Sequence, residues 1–93
     1  MDRCLCVSGR VQGVGFRYWV VFKAYSIGGI SGYACNLENG DVAVLMSGNS
    51  EKLDELQLLL YKGPLFSRVD SVRVANEYRS MFPPIKNGVF KRI

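Results

Sequence analysis

The sequence contains no histidine. Histidine is the commonest metal ligand in proteins and the commonest general acid or base near neutral pH, so chemistry that depends on it is excluded. Cysteine is scarce, at three residues, and Cys4 and Cys6 lie too close along one extended segment to pair. An odd number of unpaired thiols is typical of a reducing, cytoplasmic setting.

Long apolar stretches are also missing. No segment approaches the ~18 consecutive apolar residues of a transmembrane helix, so we expect no membrane interaction. The chain opens with Asp2 and Arg3 and lacks the apolar core of a secretory signal peptide. Both absences favour a cytoplasmic location.

The residues that are present suit one small globular domain. Hydrophobic residues make up 48% and charged residues 22% of the 93 positions, which is enough for a single modest core. We therefore expect one domain over residues 1–93. The net charge of +4 suits a protein that attracts small anions, and also one that touches nucleic acid.

Apolar periodicity and turn residues predict the order β-α-β-β-α-β. The predicted strands cover 3–9, 30–37, 41–47 and 67–78, the helices cover 16–27 and 51–62, and 89–93 is a short extra strand. Ser50 is the predicted cap of the second helix, and Asn39-Gly40 favours a hairpin turn. Two amphipathic helices must cover one face of one antiparallel sheet, which predicts an α+β ferredoxin-like sandwich.

The junction between the first strand and the first helix has the composition of an anion cradle. Gly13 and Gly15 let the backbone turn its N–H groups toward one point, and Arg17 follows in the first helical turn. A guanidinium adds a strong bidentate contact to phosphate. The pattern differs from the Walker and Rossmann nucleotide motifs, and a plain tight turn with a surface arginine remains the alternative.

Asn36 lies near the end of the second predicted strand. Asparagine is uncommon inside strands, and its carboxamide offers an acceptor and two donors that would hold a water molecule beside a bound phosphoryl group. The alternative is that Asn36 simply begins the hairpin turn.

Taken together, the two motifs resemble the acylphosphatase family. Its first pattern, Gly-x-Val-Gln-Gly-Val-x-Phe-Arg, fits Gly9 to Arg17 without a gap. Its second pattern, Gly-aromatic-x-x-Asn followed by glycine, is matched by Gly32, Tyr33, Asn36, Gly40, Val42 and Gly48. Length and strand order extend the resemblance over nearly the whole chain.

The resemblance implies hydrolysis of the carboxyl-phosphate bond of small-molecule acyl phosphates, without a metal or organic cofactor. Arg17 would bind the phosphoryl group and Asn36 would orient the attacking water. Backbone N–H groups of the loop would complete the phosphate site, namely those of Gln12, Gly13, Val14, Gly15 and Phe16. Inorganic phosphate or sulfate would fit the same site, and the protein would act as a monomer.

The residues available suit an activated substrate. Neither motif contains a general base, and the only nearby carboxylates, Glu38 and Asp41, belong to the turn. An acyl phosphate expels a carboxylate whose conjugate acid has a pKa of roughly 4, so its departure needs no protonation. Catalysis then requires only that the water and the phosphoryl group be positioned and that the developing negative charge be stabilised. Arg17, the loop and Asn36 supply both.

Three other functions have partial support in the sequence. Cys4 to Arg10 is a literal Cys-x5-Arg match to the cysteine phosphatases, but its residues alternate as a strand. A carrier of a soft metal ion is a second alternative, which requires that the fold bring the thiols of Cys4, Cys6 and Cys35 together as ligands. An RNA-recognition module shares the strand order but needs aromatics on the central strands, and residues 41–47 contain none.

A noncatalytic phosphate-binding relative, or a domain once fused to a carbamoyl-phosphate-using maturation enzyme, is a further alternative. The sequence also departs from the family pattern at two positions. Cys35 replaces a basic or polar residue beside Asn36, which leaves substrate affinity open. The last residue is Ile93 rather than an aromatic, which concerns packing more than chemistry.

Several further side chains are expected to be structural. Trp19, Phe22 and Tyr25 on the first helix are predicted to be core and rim residues. The basic residues near the end of the chain are predicted to form a solvated edge that raises the local anion concentration. They are Lys86, Lys91 and Arg92.

Overall fold

The computed structural model describes all of residues 1–93. The two predicted helices and all the predicted strands are present, in the predicted order. Their bounds are β1 Asp2–Arg10, α1 Phe16–Ile27, β2 Ser31–Asn36, β3 Val42–Ser47, α2 Ser50–Lys62, β4 Arg68–Val74 and β5 Phe90–Arg92.

The strands form one five-stranded sheet in the order β4-β1-β3-β2-β5. Neighbours among the first four strands are antiparallel, which confirms the ferredoxin-like fold. β5 adds to the edge of β2 in the parallel sense, so the complete sheet is mixed. This extra strand places the end of the chain beside β2, on which Asn36 lies.

The main core lies between the sheet and the two helices. Both helices bury apolar stripes against inward-facing residues of β1, β2 and β3, as their 3.6-residue periodicity requires. Fully or nearly fully buried members from the helices are Phe16, Val20, Ala24, Leu53, Leu56 and Leu60. Their burial fixes α1 over β2, so that the first turn of α1 lies near the end of that strand.

The opposite face of the sheet is covered by the segment after β4. A 3-10 helix over Asn76–Met81 leads into Phe82, which stacks on Tyr33 with ring centroids 6.1 Å apart. The Tyr33 hydroxyl donates to the main-chain oxygen of Pro84 at 2.6 Å. The sheet is therefore shielded on both faces, although only one face carries the long helices.

Two details of the predicted elements were wrong. β4 ends at Val74 instead of residue 78, because the chain leaves the extended conformation at Ala75 and turns over the second face of the sheet. The cap of α2 is Asn49 rather than Ser50. Its side-chain oxygen accepts a hydrogen bond from the Lys52 amide at 3.0 Å, since asparagine one residue earlier reaches the first-turn amides.

Candidate active site

The loop that joins β1 to α1 is shaped by its glycines. Gly13 and Gly15 have φ angles of +74° and +78°, in the left-handed region that side chains with a Cβ rarely adopt. A Cβ at either position would meet no neighbouring atom, so the requirement concerns the backbone angle rather than space. These two positions curl the loop around the N-terminus of α1.

The N-terminus of α1 offers unpartnered amide groups. Gly15 is its cap residue, no side chain caps it, and no acidic residue lies in its first turn. The first N–H groups of any helix lack carbonyl partners within it, and the helix dipole adds a partial positive charge there. This end of α1 is therefore suited to an anion.

The loop, the first turn of α1 and the end of β2 line one cleft of about 150 Å³, which we call the anion cleft. Its lining residues are Val11, Gly13, Gly15, Phe16, Arg17, Tyr18, Asn36 and Arg92. The structure thus brings Arg17 and Asn36 together in one small space, with glycines between them. Gln12 and Val14 of the predicted site do not line it.

Arg17 is partly buried and held from one side. Its Nη1 donates to the main-chain oxygen of Ile93 at 2.7 Å, so the end of β5 orients the guanidinium. Arginine carries five N–H donors, which leaves others to face the cleft. Ile93 therefore contacts the site through its backbone, whatever its side chain.

Asn36 reaches the cleft because side chains alternate along β2. Ala34, two residues earlier, is buried in the core beneath the helices, so Asn36 faces the same side. Cys35 faces the other side and packs near Tyr33 on the opposite face. Because the Cys35 side chain points away from the cleft, the structure does not support an influence of Cys35 on substrate affinity.

Gln12 has a position that the sequence did not indicate. Its side-chain amide donates to the main-chain oxygens of Leu37 at 2.7 Å and Asp41 at 2.8 Å. Leu37 follows Asn36 directly, and Asp41 closes the same hairpin. The Gln12 side chain thus joins the glycine loop to the strand that carries Asn36.

Arg92 lines the anion cleft, although its sequence context predicted a solvated edge. It lies opposite Ala34 in the parallel register of β5, and its guanidinium carbon is 5.3 Å from the centre of the Tyr18 ring. The ion pairs of the structure involve other arginines, so the cleft holds two arginines and no lining carboxylate. The basic composition of the last residues was the only available signal.

The cysteines are arranged differently from what the alternatives require. Cys4 and Cys6 are buried in β1, whereas a cysteine phosphatase needs its Cys-x5-Arg segment wrapped as a loop. Burial, together with a hydrogen bond from Cys6 to Asp41, raises the pKa of the Cys6 thiol to about 11. No group of three or more histidine, cysteine, aspartate or glutamate residues is placed to hold a metal ion.

None of the helices has the length and apolar character needed to cross a membrane.

The fold and the cleft together define the class of protein: a ferredoxin-like domain with an arginine-lined cleft between the β1–α1 loop and β2. Residues 4–83 match the acylphosphatase family. An acylphosphatase from Vibrio cholerae is 51% identical over 67 residues, which are 72% of this chain and 72% of the relative.

Solved structures with a similar fold support the same family. A Bacillus subtilis acylphosphatase matches with a TM-score of 0.82 and 27% identity, over 99% of this chain and 97% of that chain. HypF of T. kodakarensis matches with a TM-score of 0.78 and 26% identity, over 100% of this chain but only 12% of that chain. The chain belongs to the acylphosphatase family, as the resemblance of its motifs implied, and is a hydrolase of acyl phosphates.

Proposed function

We propose that the anion cleft hydrolyses acyl phosphates by positioning and electrostatic stabilisation alone. The observation that carries the proposal is the convergence of Arg17, the first-turn amides of α1 and Asn36 on one cleft of about 150 Å³. The phosphoryl group lies against the loop between Gly13 and Phe16. Arg17 neutralises the charge that its oxygens gain in the transition state.

Asn36 orients the attacking water. It lies across the cleft from the phosphate loop, so its carboxamide accepts from the water and holds the water oxygen toward phosphorus. The water oxygen forms a bond to phosphorus while the P–O bond to the acyl group breaks, and the electron pair of the broken bond leaves on the carboxylate oxygen. The proton of the water passes to a phosphate oxygen, since no residue of the cleft is a general base.

Two further residues support this arrangement. The guanidinium of Arg92 adds a second positive charge at the rim, which raises the affinity for a dianionic phosphoryl group. The amide of Gln12 holds the β2–β3 hairpin to the glycine loop, and thereby sets the separation of Asn36 from the bound phosphate.

The proposal is tested with two substrates that differ in the leaving group. Benzoyl phosphate expels a carboxylate whose conjugate acid has a pKa of about 4. Phenyl phosphate expels a phenolate whose conjugate acid has a pKa of about 10. A site without a general acid hydrolyses the first and leaves the second intact. Arg17→Ala should lower kcat/KM for benzoyl phosphate at least about a hundredfold.

Arg73→Ala is the matched control, because Arg73 lies on β4 outside the anion cleft and forms an ion pair with Glu77. It should retain wild-type turnover. If the wild-type protein binds inorganic phosphate but hydrolyses neither compound, the noncatalytic alternative holds. Equal hydrolysis of both compounds would require a general acid and would refute the mechanism.

A further inference from the structure

Three aromatic side chains form an exposed stripe along α1. Tyr18, Phe22 and Tyr25 are spaced by four and three residues, so they lie on one helical face. Each leaves more than half of its surface exposed, at 65%, 53% and 54% respectively. We call these three residues the aromatic stripe. Large aromatics in contact with solvent on one face indicate a binding surface rather than a core.

The stripe is continuous with the anion cleft. Tyr18 lines both the cleft and a larger open groove of about 660 Å³ formed by the stripe with Val21 and Ser26. Because α1 begins at the phosphate loop, each further turn leads away from it. Phe22 lies about 6 Å beyond Tyr18 along the helix axis.

The stripe is held in place at both ends. Arg92 stacks on the Tyr18 ring at 5.3 Å, and the Tyr25 hydroxyl accepts a hydrogen bond from the Phe90 amide at 3.0 Å. Between them, the Lys23 ammonium lies 5.7 Å from the centre of the Phe22 ring. The groove therefore has a fixed apolar floor and a positively charged border.

The charged border helps to identify the occupant. A second copy of this chain would bring Lys23 and Arg92 against like charges in a protein of net charge +4. An anionic ligand with an apolar body meets no such repulsion. Its anionic end fits the cleft, and its apolar body fits the groove that starts at the mouth of the cleft.

Resting on the proposed function, we propose that the aromatic stripe is the acyl-group subsite. The substrate class is then an acyl phosphate with an aromatic or similarly bulky apolar acyl group. The phosphoryl group occupies the anion cleft, the carbonyl lies beside Tyr18, and the remainder of the acyl group lies across Tyr18 and Phe22. A two-carbon acyl group would leave the stripe uncovered.

The inference is tested with a series of acyl phosphates of increasing length: acetyl, benzoyl and biphenyl-4-carbonyl phosphate. The wild-type kcat/KM should rise along the series, because each ring covers one more side chain of the stripe. In Phe22→Ala the preference for the biphenyl over the benzoyl compound should fall about three- to tenfold, the size of one aromatic contact.

Leu58→Ala is the control, since Leu58 is an exposed apolar residue of α2 outside both the cleft and the groove. It should keep the wild-type order of substrates. Equal kcat/KM for all three compounds, or an unchanged preference in Phe22→Ala, would overturn the subsite while leaving the hydrolase intact. Hydrolysis of none of them would instead refute the proposed function.

Sedimentation of the wild-type protein without substrate adds a second measurement. A monomer at assay concentration supports the subsite. A dimer that Phe22→Ala dissociates would overturn it, because the stripe would then be a contact between copies of the chain.

Discussion

Arg17 and Asn36 share one cleft but have separate tasks in the proposed mechanism, and single substitutions distinguish them. Asn36→Ala should lower kcat on benzoyl phosphate by about a hundredfold while inhibition by inorganic phosphate changes little, because the carboxamide contacts the water and not the phosphate. Arg17→Ala should weaken both turnover and inhibition. Steady-state kinetics with phosphate as competitive inhibitor measure both quantities.

An equal loss of phosphate affinity in the two variants would contradict these separate tasks. Asn39→Ala serves as the control, since Asn39 lies in the same hairpin but outside the cleft.

Cys6 predicts a pH dependence of stability. Its thiol has a pKa raised by burial to about 11, from an ordinary value of 9.0. Between these values the folded protein keeps the proton and the unfolded chain loses it, so the free energy of unfolding falls as pH rises from about 9 to 11. The decrease from this group is on the order of 2 kcal/mol.

Urea unfolding at pH 9 and at pH 11 measures that decrease, and Cys6→Ala supplies the reference. Every other titratable group is common to the two proteins, so its contribution cancels in the comparison. The variant should lose less stability between the two pH values than the wild-type protein. Identical decreases would show that Cys6 does not contribute.

The connection between the glycine loop and the β2–β3 hairpin matters at the scale of whole elements. Gln12→Ala removes two hydrogen bonds, to Leu37 and Asp41, and loosens the element that presents Asn36. We expect kcat to fall about tenfold with a smaller change in phosphate inhibition, because a small displacement of a positioned group slows the reaction more than it weakens binding.

A fall in kcat without a matching loss of phosphate inhibition distinguishes this positioning role from a general loss of structure. Gln57→Ala is the matched variant, because the Gln57 side chain is also hydrogen-bonded, accepting from Arg3, but lies on α2 away from the cleft. A Gln12→Ala enzyme with normal kcat and weakened phosphate inhibition would assign Gln12 to phosphate binding instead.

At the scale of the whole molecule, the sheet brings distant parts of the chain to one edge. The β1–α1 loop, the end of β2 and the end of β5 meet there, and each contributes to the anion cleft. Two arginines that form no ion pair with an aspartate or glutamate lie at this edge, and their positive charge attracts anions to it.

Because every proposed role in the cleft belongs to a side chain or a backbone amide, hydrolysis of benzoyl phosphate should be unchanged after dialysis against EDTA. The initial rate is measured before and after, with Mg²⁺ returned to a second portion as the control. A full loss of activity that the added metal restores would reject the metal-independent mechanism.

Local signals in the sequence were sufficient for the helices and the site loop. α1 begins at Phe16 and ends at Ile27, the bounds that its apolar periodicity predicted, because helix ends depend on neighbouring residues. The same holds for the left-handed turns at Gly13 and Gly15. The fold class followed from the order of elements and from the need to cover two apolar helices.

Contacts between residues far apart in the chain decided the rest. Arg92 enters the cleft only because β5 pairs with β2 in the parallel sense, and Gln12 turns to the hairpin because Leu37 and Asp41 lie within reach. β4 stops at Val74 because the next segment covers the second face of the sheet. The sequence by itself determined the order of the elements and the turns of the glycine loop, which depend on nearest neighbours, whereas pairing across the sheet decided which distant side chains share the cleft.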